Sequence, residues 1–348
     1  MGKRRANIRD VARESGVSLT TVSLVINGND QRISEPTRQR VRAAIEKLHY
    51  TPSRLARGLP NRRANTLAVL VPALQHAFAD AYFGEIISGI YESAADRGYR
   101  ILLEVARRDY IRRKEYLTIV EENAVDAILF VGATAEHEWL EDFAESDRPL
   151  ILVNNRLEKL DLHHVVCDYS GAGQLAASYL IELGHHRIGH VSGPRDVVLT
   201  SAELTAAFVE TLKEHGVATS SSMIVDGQLQ AETGKLAADE LLERDPKLTA
   251  IFAANDKMAL GVYQSLRERG LKPGVDVSVL GCDDIATAPL ADPPLTTIRM
   301  NFFDVGAVAA RQMIDIVEKK LEFASGQRIS EVVDVSLVPR ESCRPVEG

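Results

Sequence analysis

The sequence predicts a small all-helical head followed by a large α/β core built from two doubly wound, mostly parallel sheets. Residues 1–63 contain short amphipathic stretches at helical spacing, with turn residues between them. From residue 66 onward, short apolar runs alternate with amphipathic helical stretches, which is typical of parallel sheets covered on both faces. The length of 348 residues suits two or three domains, and a core of this size suits two layers rather than one.

The charge of the chain divides at the same place. The formal net charge is −8, but residues 1–63 hold 14 basic and 5 acidic residues, a net charge of +9, and the remainder carries −17. A basic head on an acidic core indicates that only the head meets a polyanion such as nucleic acid. The alternative is a solvated basic tail that binds no polyanion, which would show the same distribution of charge.

Three helices are predicted in the head. Asn7 is placed to cap a helix over residues 8–14, and Gly16 ends it at a tight turn. A second helix runs over residues 19–27, and Ser34 opens a third with a proline in its first turn. Two helices joined by a glycine turn, with a third behind them, describe a helix-turn-helix unit, although any three-helix miniature bundle would share this spacing.

The second helix of a helix-turn-helix unit enters the DNA major groove by its N-terminal end. The hydroxyls of Thr20 and Thr21 can bond base edges or phosphates, and an apolar side chain such as Leu24 can pack on thymine methyl groups. Each could instead be an ordinary exposed helix residue, although an exposed leucine fits that alternative poorly. The candidate DNA contacts of this helix are Ser18, Leu19, Thr20, Thr21, Ser23, Leu24 and Asn27.

A basic segment, residues 50–63, separates the third helix from the first strand-like run. Two prolines bound a stretch long enough for one or two helical turns, and Gly58 costs such a helix about 1 kcal/mol. We therefore expect this stretch to be weakly ordered unless something docks against it. Leu55 and Leu59 would share one helix face, which a plain linker does not require.

Residues 8–59 resemble the N-terminal region of the lactose-repressor (LacI/GalR) family of bacterial transcription regulators. The resemblance is carried by Ile8-Arg9-Asp10-Val11-Ala12, Gly16-Val17-Ser18, Thr21-Val22-Ser23, Val25-Ile26-Asn27, Thr37-Arg38, Leu48-His49-Tyr50-Thr51-Pro52 and Leu55-Ala56-Arg57-Gly58-Leu59. It implies that the last run is a hinge helix that orders on operator DNA, with Leu59 wedged into a minor-groove base step and Ala56 beside it. Tyr50 and Arg57 join the expected DNA contacts. Leu24 departs from the family at a position that is often polar or basic.

The core is predicted to alternate strands and helices throughout. The strands are predicted at residues 67–71, 100–105, 127–131, 150–153, 164–167, 187–191, 223–225, 250–254 and 277–281, with helices at 83–96, 171–183, 204–215, 233–242 and 258–269.

This core resembles the periplasmic-binding-protein-like core of the same family, in which two α/β subdomains are joined by three crossovers. The runs that carry the resemblance are Gly184-His185-His186-Arg187-Ile188, Asn255-Asp256-Lys257-Met258-Ala259-Leu260-Gly261, Asp276-Val277-Ser278-Val279-Leu280-Gly281-Cys282-Asp283-Asp284-Ile285 and Pro294-Leu295-Thr296-Thr297-Ile298-Arg299. The expected boundaries are 1–51 for the head, 52–63 for the hinge and 64–348 for the core. Within the core, we expect one subdomain at about 66–163 plus 295–326 and the other at about 164–294 plus 327–348.

Ligands of open parallel sheets bind beyond the carboxyl ends of the strands, so two facing sheets would form a small-molecule cleft. Asp256 follows a predicted strand, and the resemblance implies that it reaches an effector, although it could serve only as a helix cap. Tyr82 and Phe83 look like the family's aromatic pair at the cleft, with core packing as the alternative. The candidate effector contacts are Tyr82, Phe83, Asn154, Asn155, Arg195 and Asp256.

One position near the predicted cleft departs from the family. Many members carry an arginine just before the segment that leads to Phe208, whereas this chain has Glu203 there. The usual arginine that clamps the effector is therefore missing, unless Arg195 substitutes for it. A sugar or sugar derivative is the expected effector, with a purine or another metabolite as the alternative.

No catalytic constellation is predicted. The sequence contains no G-x-x-x-x-G-K-[ST] phosphate loop and no G-x-S-x-G elbow. Adjacent histidines such as His185-His186 point apart on a strand or helix, so we expect no metal site. Asp283-Asp284 could be an acid pair, but the resemblance implies that it sits in a structural turn.

The sequence therefore predicts a homodimeric, sequence-specific DNA-binding transcriptional regulator, expected to be a repressor, that reads a pseudo-palindromic operator. A small-molecule effector would control its operator affinity, and we expect no cofactor, no enzymatic activity and no membrane contact. Three scattered cysteines and a basic N-terminus without a following apolar core favour the cytoplasm, on the nucleoid when DNA is bound. The alternatives are a transport-type solute-binding protein and an α/β enzyme with a regulatory head.

Overall fold

The computed structural model describes residues 6–26, 30–50, 63–74, 80–134, 136–144, 146, 148–157, 159–218, 220–321 and 327–346. The chain divides into two compact units, Met1–Ala64 and Asn65–Gly348, which we call the head and the core. The hinge helix and the predicted DNA contacts Asn27, Ala56, Arg57 and Leu59 lie outside the described residues. Within the described ranges, no helix combines the length and apolar character that crossing a bilayer would require.

The described part of the head contains α1 (Ile8–Ser15), α2 (Leu19–Ile26) and α3 (Glu35–Lys47). Asn7 begins the first helix as expected: its side-chain oxygen accepts the N–H groups of Arg9 and Asp10 at 2.9 and 3.1 Å. The Asp10 carboxylate accepts the N–H of Asn7 in return at 3.0 Å, which completes a capping box. Gly16 ends α1 with φ +66°, a left-handed conformation that glycine adopts without a steric penalty.

The three helices pack around one small apolar core. Its buried members are Val11, Val22, Val25, Val41, Ala44 and Tyr50. Ser34 precedes α3 as predicted, but its hydroxyl lies 3.0 Å from the hydroxyl of Thr37 and caps no backbone N–H. The helix-turn-helix arrangement predicted from the spacing is therefore present, with one of its expected caps replaced by a side-chain contact.

Two six-stranded sheets form the core, and we call them sheet A and sheet B. Sheet A is entirely parallel, in the order β11-β5-β4-β3-β1-β2, and sheet B has the order β12-β10-β9-β8-β6-β7, with β12 antiparallel. The strands of sheet A are β1 (Thr66–Pro72), β2 (Arg100–Ala106), β3 (Ala127–Val131), β4 (Leu150–Val153), β5 (His163–Cys167) and β11 (Ser330–Val333). Those of sheet B are β6 (Ile188–Ser192), β7 (Ile224–Asp226), β8 (Ala250–Ala253), β9 (Ser278–Asp283), β10 (Thr296–Arg299) and β12 (Ser336–Val338).

Helices cover both sheets, because the central strands are apolar on both faces and bury every residue of β3, β4 and β8. With sheet A lie α4 (Ala81–Asp96), α5 (Arg108–Arg112), α6 (Glu115–Glu121), α7 (Glu141–Ala144) and α12 (Phe302–Val317). With sheet B lie α8 (Tyr169–Glu182), α9 (Leu199–Glu214), α10 (Ala231–Arg244) and α11 (Asp256–Glu268). Short 3₁₀ turns occur at Glu138–Leu140, Ser221–Met223 and Ala288–Leu290.

Glycines set the closest helix contact in the first subdomain. A Cβ atom on Gly89 of α4 would overlap the backbone of Phe303, and one on Gly306 of α12 would overlap the backbone of Ile86. The two helices therefore approach backbone to backbone. This brings the start of α12 beside the start of α4, where the cleft begins.

The chain crosses between the subdomains three times: after β5, after β10 and after β11. The expected subdomain boundaries at about residues 164, 295 and 327 differ from this arrangement. Strands β5 and β11 pair within sheet A, and β10 pairs within sheet B. An apolar run indicates a strand but does not indicate its partner, and these three strands lie next to the crossings.

Candidate functional site

The second helix of the head presents a mixed polar and apolar face. Val22 and Val25 point into the head core, while Leu19 is 44% exposed and Leu24 is 38% exposed. Thr20 is exposed on the same outer side, one turn before Leu24. Two large apolar side chains exposed beside a threonine match a surface that reads base edges and thymine methyl groups in the major groove.

Two of the predicted contacts also form the start of this helix. The Ser18 hydroxyl accepts the N–H of Thr21 at 3.1 Å, and the hydroxyls of the two residues lie 2.9 Å apart. Ser23 lies half-buried on the same helix. Thr20 differs, because its side chain makes no hydrogen bond with any described residue and so is available to an outside partner.

Tyr50 does not lie on this surface. It is buried, and its ring packs in the head core with Val41 and Ala44. The ring of Tyr50 thus serves the head core, and the contact of this residue with DNA stays a prediction.

A cleft lies where the carboxyl ends of the strands of sheet A face those of sheet B. Asn154 follows β4, has φ +57° and is buried. Its amide nitrogen donates to the hydroxyls of Tyr169 and Tyr82 at 2.9 and 3.4 Å, and its oxygen accepts the N–H of Cys167 at 3.1 Å. Because Tyr82 lies in the first turn of α4 and Tyr169 begins α8, Asn154 links the two subdomains, and its contact with an effector stays a prediction.

Phe83 and Asn155 lie beneath the cleft rather than on its surface. Phe83 is buried and meets the Tyr82 ring edge-on at 4.9 Å between ring centres. Asn155 is also buried; it donates to the carbonyl of Ala133 and accepts the N–H of Arg156 at 2.8 Å. Tyr82 and Tyr169 are both half-buried, and the Tyr82 ring, near the start of α4, also packs on Phe302 at 5.1 Å between ring centres.

Asp256 is completely buried and fully engaged by the protein. One carboxylate oxygen accepts the N–H of Ile285 at 2.9 Å, and the other accepts the hydroxyl of Thr297 at 2.6 Å. Burial raises the pKa of this carboxyl to about 7. The helix cap is Asn255, whose side chain accepts the N–H of Met258 at 2.8 Å. In this conformation Asp256 is therefore not the cap of α11, and its carboxylate is not exposed to an effector in the cleft.

The carboxylate that faces the cleft belongs to Asp283, the last residue of β9. No described residue donates a hydrogen bond to this half-buried carboxylate. Burial, followed by the negative charge of Asp256, raises the pKa of Asp283 well above its usual range, and Lys257 opposes the shift. Burial also raises the pKa values of Tyr82 and Tyr169, and the charge of Asp283 adds to both shifts.

Asp283 is a site residue that was not predicted, because the family resemblance implies that it sits in a structural turn. The signal was present, because Asp283 stands at the carboxyl end of an apolar strand, as does the aspartate that was chosen instead. The distinguishing feature is its backbone conformation, because φ is +124° at Asp283 and +60° at Asp284, a region that residues with a side chain rarely adopt.

Two ion pairs connect the subdomains beside the cleft. Lys257 of α11 lies 2.6 Å from Asp80, the residue that caps α4. Arg156, which follows β4, donates through Nε to Glu203 of α9 at 2.8 Å. The glutamate at the position where the family often has arginine is thus paired with an arginine from the opposite subdomain. Arg195 is exposed and forms no ion pair with the described residues, and its contact with an effector stays a prediction.

The remaining reactive residue types in the core are structural. Burial raises the pKa values of the Cys167, Cys282 and Cys343 thiols, which keeps them protonated. Burial lowers the pKa of His190 to about 4, and its two nitrogens contact the carbonyl of Phe252 and the hydroxyl of Thr205. The cleft thus offers hydrogen-bond acceptors and aromatic surface, which suit binding.

Comparisons with known proteins agree with this architecture over nearly the whole chain. Residues 64–341 match the family described as periplasmic binding proteins and sugar binding domain of LacI family, and residues 7–53 match bacterial regulatory proteins, lacI family. The chain is 33% identical over 313 residues to catabolite control protein A of Priestia megaterium, covering 90% of this chain and 93% of that protein.

Two solved structures are also similar. A complex of the transcriptional regulator CelR with cellobiose shares 30% sequence identity and a TM-score of 0.74, covering 97% of this chain and all of that one. A lac repressor dimer bound to operator and the anti-inducer ONPF has a TM-score of 0.85 at 23% identity, covering 98% of this chain and all of that one. The second likeness is one of fold.

Proposed function

Because the chain belongs to the LacI family of bacterial regulatory proteins, we propose that it is a sequence-specific transcriptional repressor whose operator affinity is controlled by a small molecule in the core cleft. The observation that carries the ligand part of this proposal is the Asp283 carboxylate, which lies in the cleft without a hydrogen-bond donor among the described residues. A half-buried acceptor that no described residue occupies is open to a donor group of a ligand, and a hydrogen bond formed there contributes to binding.

The charges around the cleft indicate what kind of ligand it accepts. Asp283 and Asp80 offer carboxylates, and the nearby cations Lys257, Arg156 and Arg299 are already paired with Asp80, Glu203 and Asp284. A neutral molecule rich in hydroxyl groups can hydrogen-bond to Asp283 and stack on Tyr82, and it does not require a cation of the cleft to leave its ion pair. A neutral sugar or sugar derivative is therefore the expected effector, with an uncharged purine or nucleoside as the second choice. The similarity to a regulator in complex with cellobiose supports this preference.

The head is proposed to read DNA through α2. Thr20 supplies a free hydroxyl, and Leu19 and Leu24 supply apolar contacts. The protein acts as a homodimer, because two heads related by two-fold symmetry read the two halves of a pseudo-palindromic operator. The similar lac repressor structure is a dimer on operator DNA. We place this activity in the cytoplasm, on the nucleoid when DNA is bound.

Control of DNA binding by the ligand follows from the cleft's construction. Its two walls belong to different subdomains, joined by three crossings and by ion pairs, so a ligand that favours one relative angle shifts the population of that angle. A coupling of about 1–3 kcal/mol would change operator affinity by roughly 5–150-fold. The two binding sites affect each other reciprocally.

The test uses the full chain. DNA binding is measured by fluorescence anisotropy with genomic fragments enriched on the protein, against shuffled fragments of equal length. Ligand binding is measured by thermal shift with neutral sugars, purines, nucleosides and sugar phosphates. Asp283→Ala should abolish the ligand shift and keep DNA binding, and Glu243→Gln, an exposed acidic residue on α10, is the matched control. Equal binding to shuffled DNA would refute the regulator.

A transport-type solute-binding protein is the alternative with the same core. The helix-turn-helix head, with its exposed threonine and leucines on α2, favours the regulator. The two functions differ in one measurement, because a transport protein would show the ligand shift without sequence-specific DNA binding.

A further inference from the structure

Asp284, the residue after the cleft carboxylate of Asp283, forms ion pairs with two arginines. Arg299 donates through Nε and lies 2.8 Å from one carboxylate oxygen, and Arg340 lies 2.6 Å from the other. The side chains of Asp284 and Arg340 are only 8% and 17% exposed, whereas the Arg299 side chain is half exposed, so one of the two ion pairs is shielded from solvent. Arg340 also donates to the carbonyl of Leu295 at 2.7 Å, which fixes its guanidinium plane.

The backbone at this point requires such support. Asp283 and Asp284 both have positive φ, at +124° and +60°, a region that residues with a side chain rarely adopt. Such a conformation persists only where the surroundings hold it. Asp256 holds the turn from one side by accepting the N–H of Ile285, and the two arginines hold it from the other by binding Asp284.

One of the two arginines lies at the ends of the crossings. Arg299 is the last residue of β10, pairs in register with Asp283, and directly precedes the second crossing. It is also in register with Ser336, the residue at which β12 begins after the third crossing, whereas Arg340 follows the opposite end of β12. Through Arg299, the turn that carries the cleft carboxylate is therefore tied to the second and third of the three crossings between the subdomains.

We propose that Asp284, Arg299 and Arg340 form a positioning clamp that sets the Asp283 carboxylate in the cleft and transmits its position to the second and third crossings. The ligand part of this inference rests on the proposed function, whereas the clamp itself does not. A ligand that binds Asp283 displaces the turn at Asp283 and Asp284. Because Asp284 is bound to Arg299 and Arg340, this displacement moves both arginines, which lie at the ends of β10 and β12. Asp284, Arg299 and Arg340 are positioning residues and touch no ligand themselves.

The experiment compares Asp284→Asn with Asp245→Asn in the full chain. Asparagine tolerates the left-handed conformation, so Asp284→Asn removes the charge and keeps the backbone preference. Asp245 pairs with Arg187 near the amino ends of the sheet B strands and serves as the matched ion-pair control. Backbone hydrogen exchange of the ligand-free proteins is followed by mass spectrometry.

We expect Asp284→Asn to speed exchange by about tenfold in the turn at 283–286 and also in both crossings, at 299–302 and 333–336, with Asp245→Asn leaving all three unchanged. Acceleration confined to the turn would overturn the transmission, and no acceleration would overturn the clamp. Arg340→Lys keeps the charge but loses the fork that bonds Asp284 and Leu295, and should give the same pattern more weakly.

Thermal shift with cellobiose and adenine tests the ligand part separately. If the wild-type chain responds to either probe, Asp284→Asn should weaken its apparent affinity by about tenfold, within the usual range of coupling between sites. An unchanged affinity together with accelerated exchange would show that the clamp does not position Asp283 for ligand. A wild-type chain that responds to neither probe, nor to the wider ligand panel, counts against the proposed function and leaves the exchange result to decide the clamp.

Discussion

The ammonium group of Lys257 lies 2.6 Å from a carboxylate oxygen of Asp80, and this pair joins the two subdomains across the cleft. The second pair, Arg156 with Glu203, has the opposite polarity: here the subdomain of sheet A supplies the cation. Both pairs are partly exposed, so each contributes modestly to stability, but each favours the closed arrangement over an open one. A ligand therefore enters a cleft that is already biased towards closure.

Loss of the first pair should loosen the cleft without unfolding it. Asp80→Asn keeps an oxygen that can accept the N–H of Tyr82 and so preserves the cap of α4, but it removes the attraction to Lys257. We expect a larger radius of gyration by small-angle X-ray scattering of the ligand-free protein at low salt. The free energy of unfolding should fall by less than about 1 kcal/mol, as for other exposed pairs.

The control for this measurement is a pair that stays within one subdomain. Glu121→Gln removes a 2.6 Å pair with Arg148 beside sheet A and should leave the radius unchanged. If Asp80→Asn and Glu121→Gln give the same radius as the wild type, the Lys257–Asp80 pair does not hold the cleft closed.

The Arg156–Glu203 pair permits a test by charge exchange. Glu203→Arg alone places two cations together and should open the cleft, which raises the radius of gyration and weakens the ligand-induced thermal shift. The double variant Arg156→Glu with Glu203→Arg restores opposite charges and should recover most of both quantities. A double variant no better than the single one would show that these residues act independently of each other.

More of the fold than of the candidate site could be predicted from the sequence. Local rules located the Asn7 cap, the Gly16 turn and the β3 strand, Ala127–Val131, because each depends on neighbours within a few residues. Which sheet a strand joins is decided by pairing with distant strands, so the predicted subdomain boundaries differ from those in the structure. The same limit applies to the cleft: Lys257 and Asp80 are 177 residues apart in the chain, and no spacing rule relates them.

The choice between two aspartates shows the limit most clearly. Asp256 and Asp283 both follow buried strands, and sequence alone offers no reason to separate them. The structure separates them by partners, because Thr297 and Ile285 occupy the oxygens of Asp256, while no described residue donates to Asp283. Hydrogen bonds that span 41 and 29 residues decided which carboxylate remained open.

The two hydroxyl residues at the start of α2 should differ in their effect on DNA binding. Thr20→Ala removes a hydroxyl without a described partner, so it should change the base preference in a selected-site experiment and leave head stability unchanged. Ser18→Ala removes the acceptor for the N–H of Thr21 and should lower helix stability by about 1 kcal/mol.

Circular dichroism melting and sequencing of selected sites measure these two effects on the same proteins. The wild-type preference retained in Thr20→Ala would exclude direct readout by this side chain. A Ser18→Ala protein with normal stability but altered base preference would reverse the assignment of the two residues.

The pH dependence of stability should identify Asp256 as a buried carboxyl. Its pKa of about 7 in the folded chain exceeds the value of 3.8 for a free aspartate, so between these two pH values the folded state binds a proton that the unfolded state has lost. The stabilisation by this group is therefore fully present below about pH 4 and is lost as the pH rises towards 7, at up to about 1.4 kcal/mol per unit. Asp256→Asn removes that dependence, since its amide stays neutral and Thr297 can reverse its hydroxyl to accept from it.

The difference in free energy of unfolding between the wild type and Asp256→Asn, from urea titrations at pH 5, 6, 7 and 8, should favour the wild type most at pH 5 and least at pH 8. This slope is independent of the fixed cost of the substitution, which shifts all four values equally. Asp245→Asn is the control, because the hydrogen bond from Arg187 lowers the pKa of Asp245, so that this carboxyl is ionised throughout the range and its difference should be flat. A flat difference for Asp256→Asn as well would mean that Asp256 is ionised in the folded chain at pH 5, and that its burial is offset by the Ile285 and Thr297 hydrogen bonds.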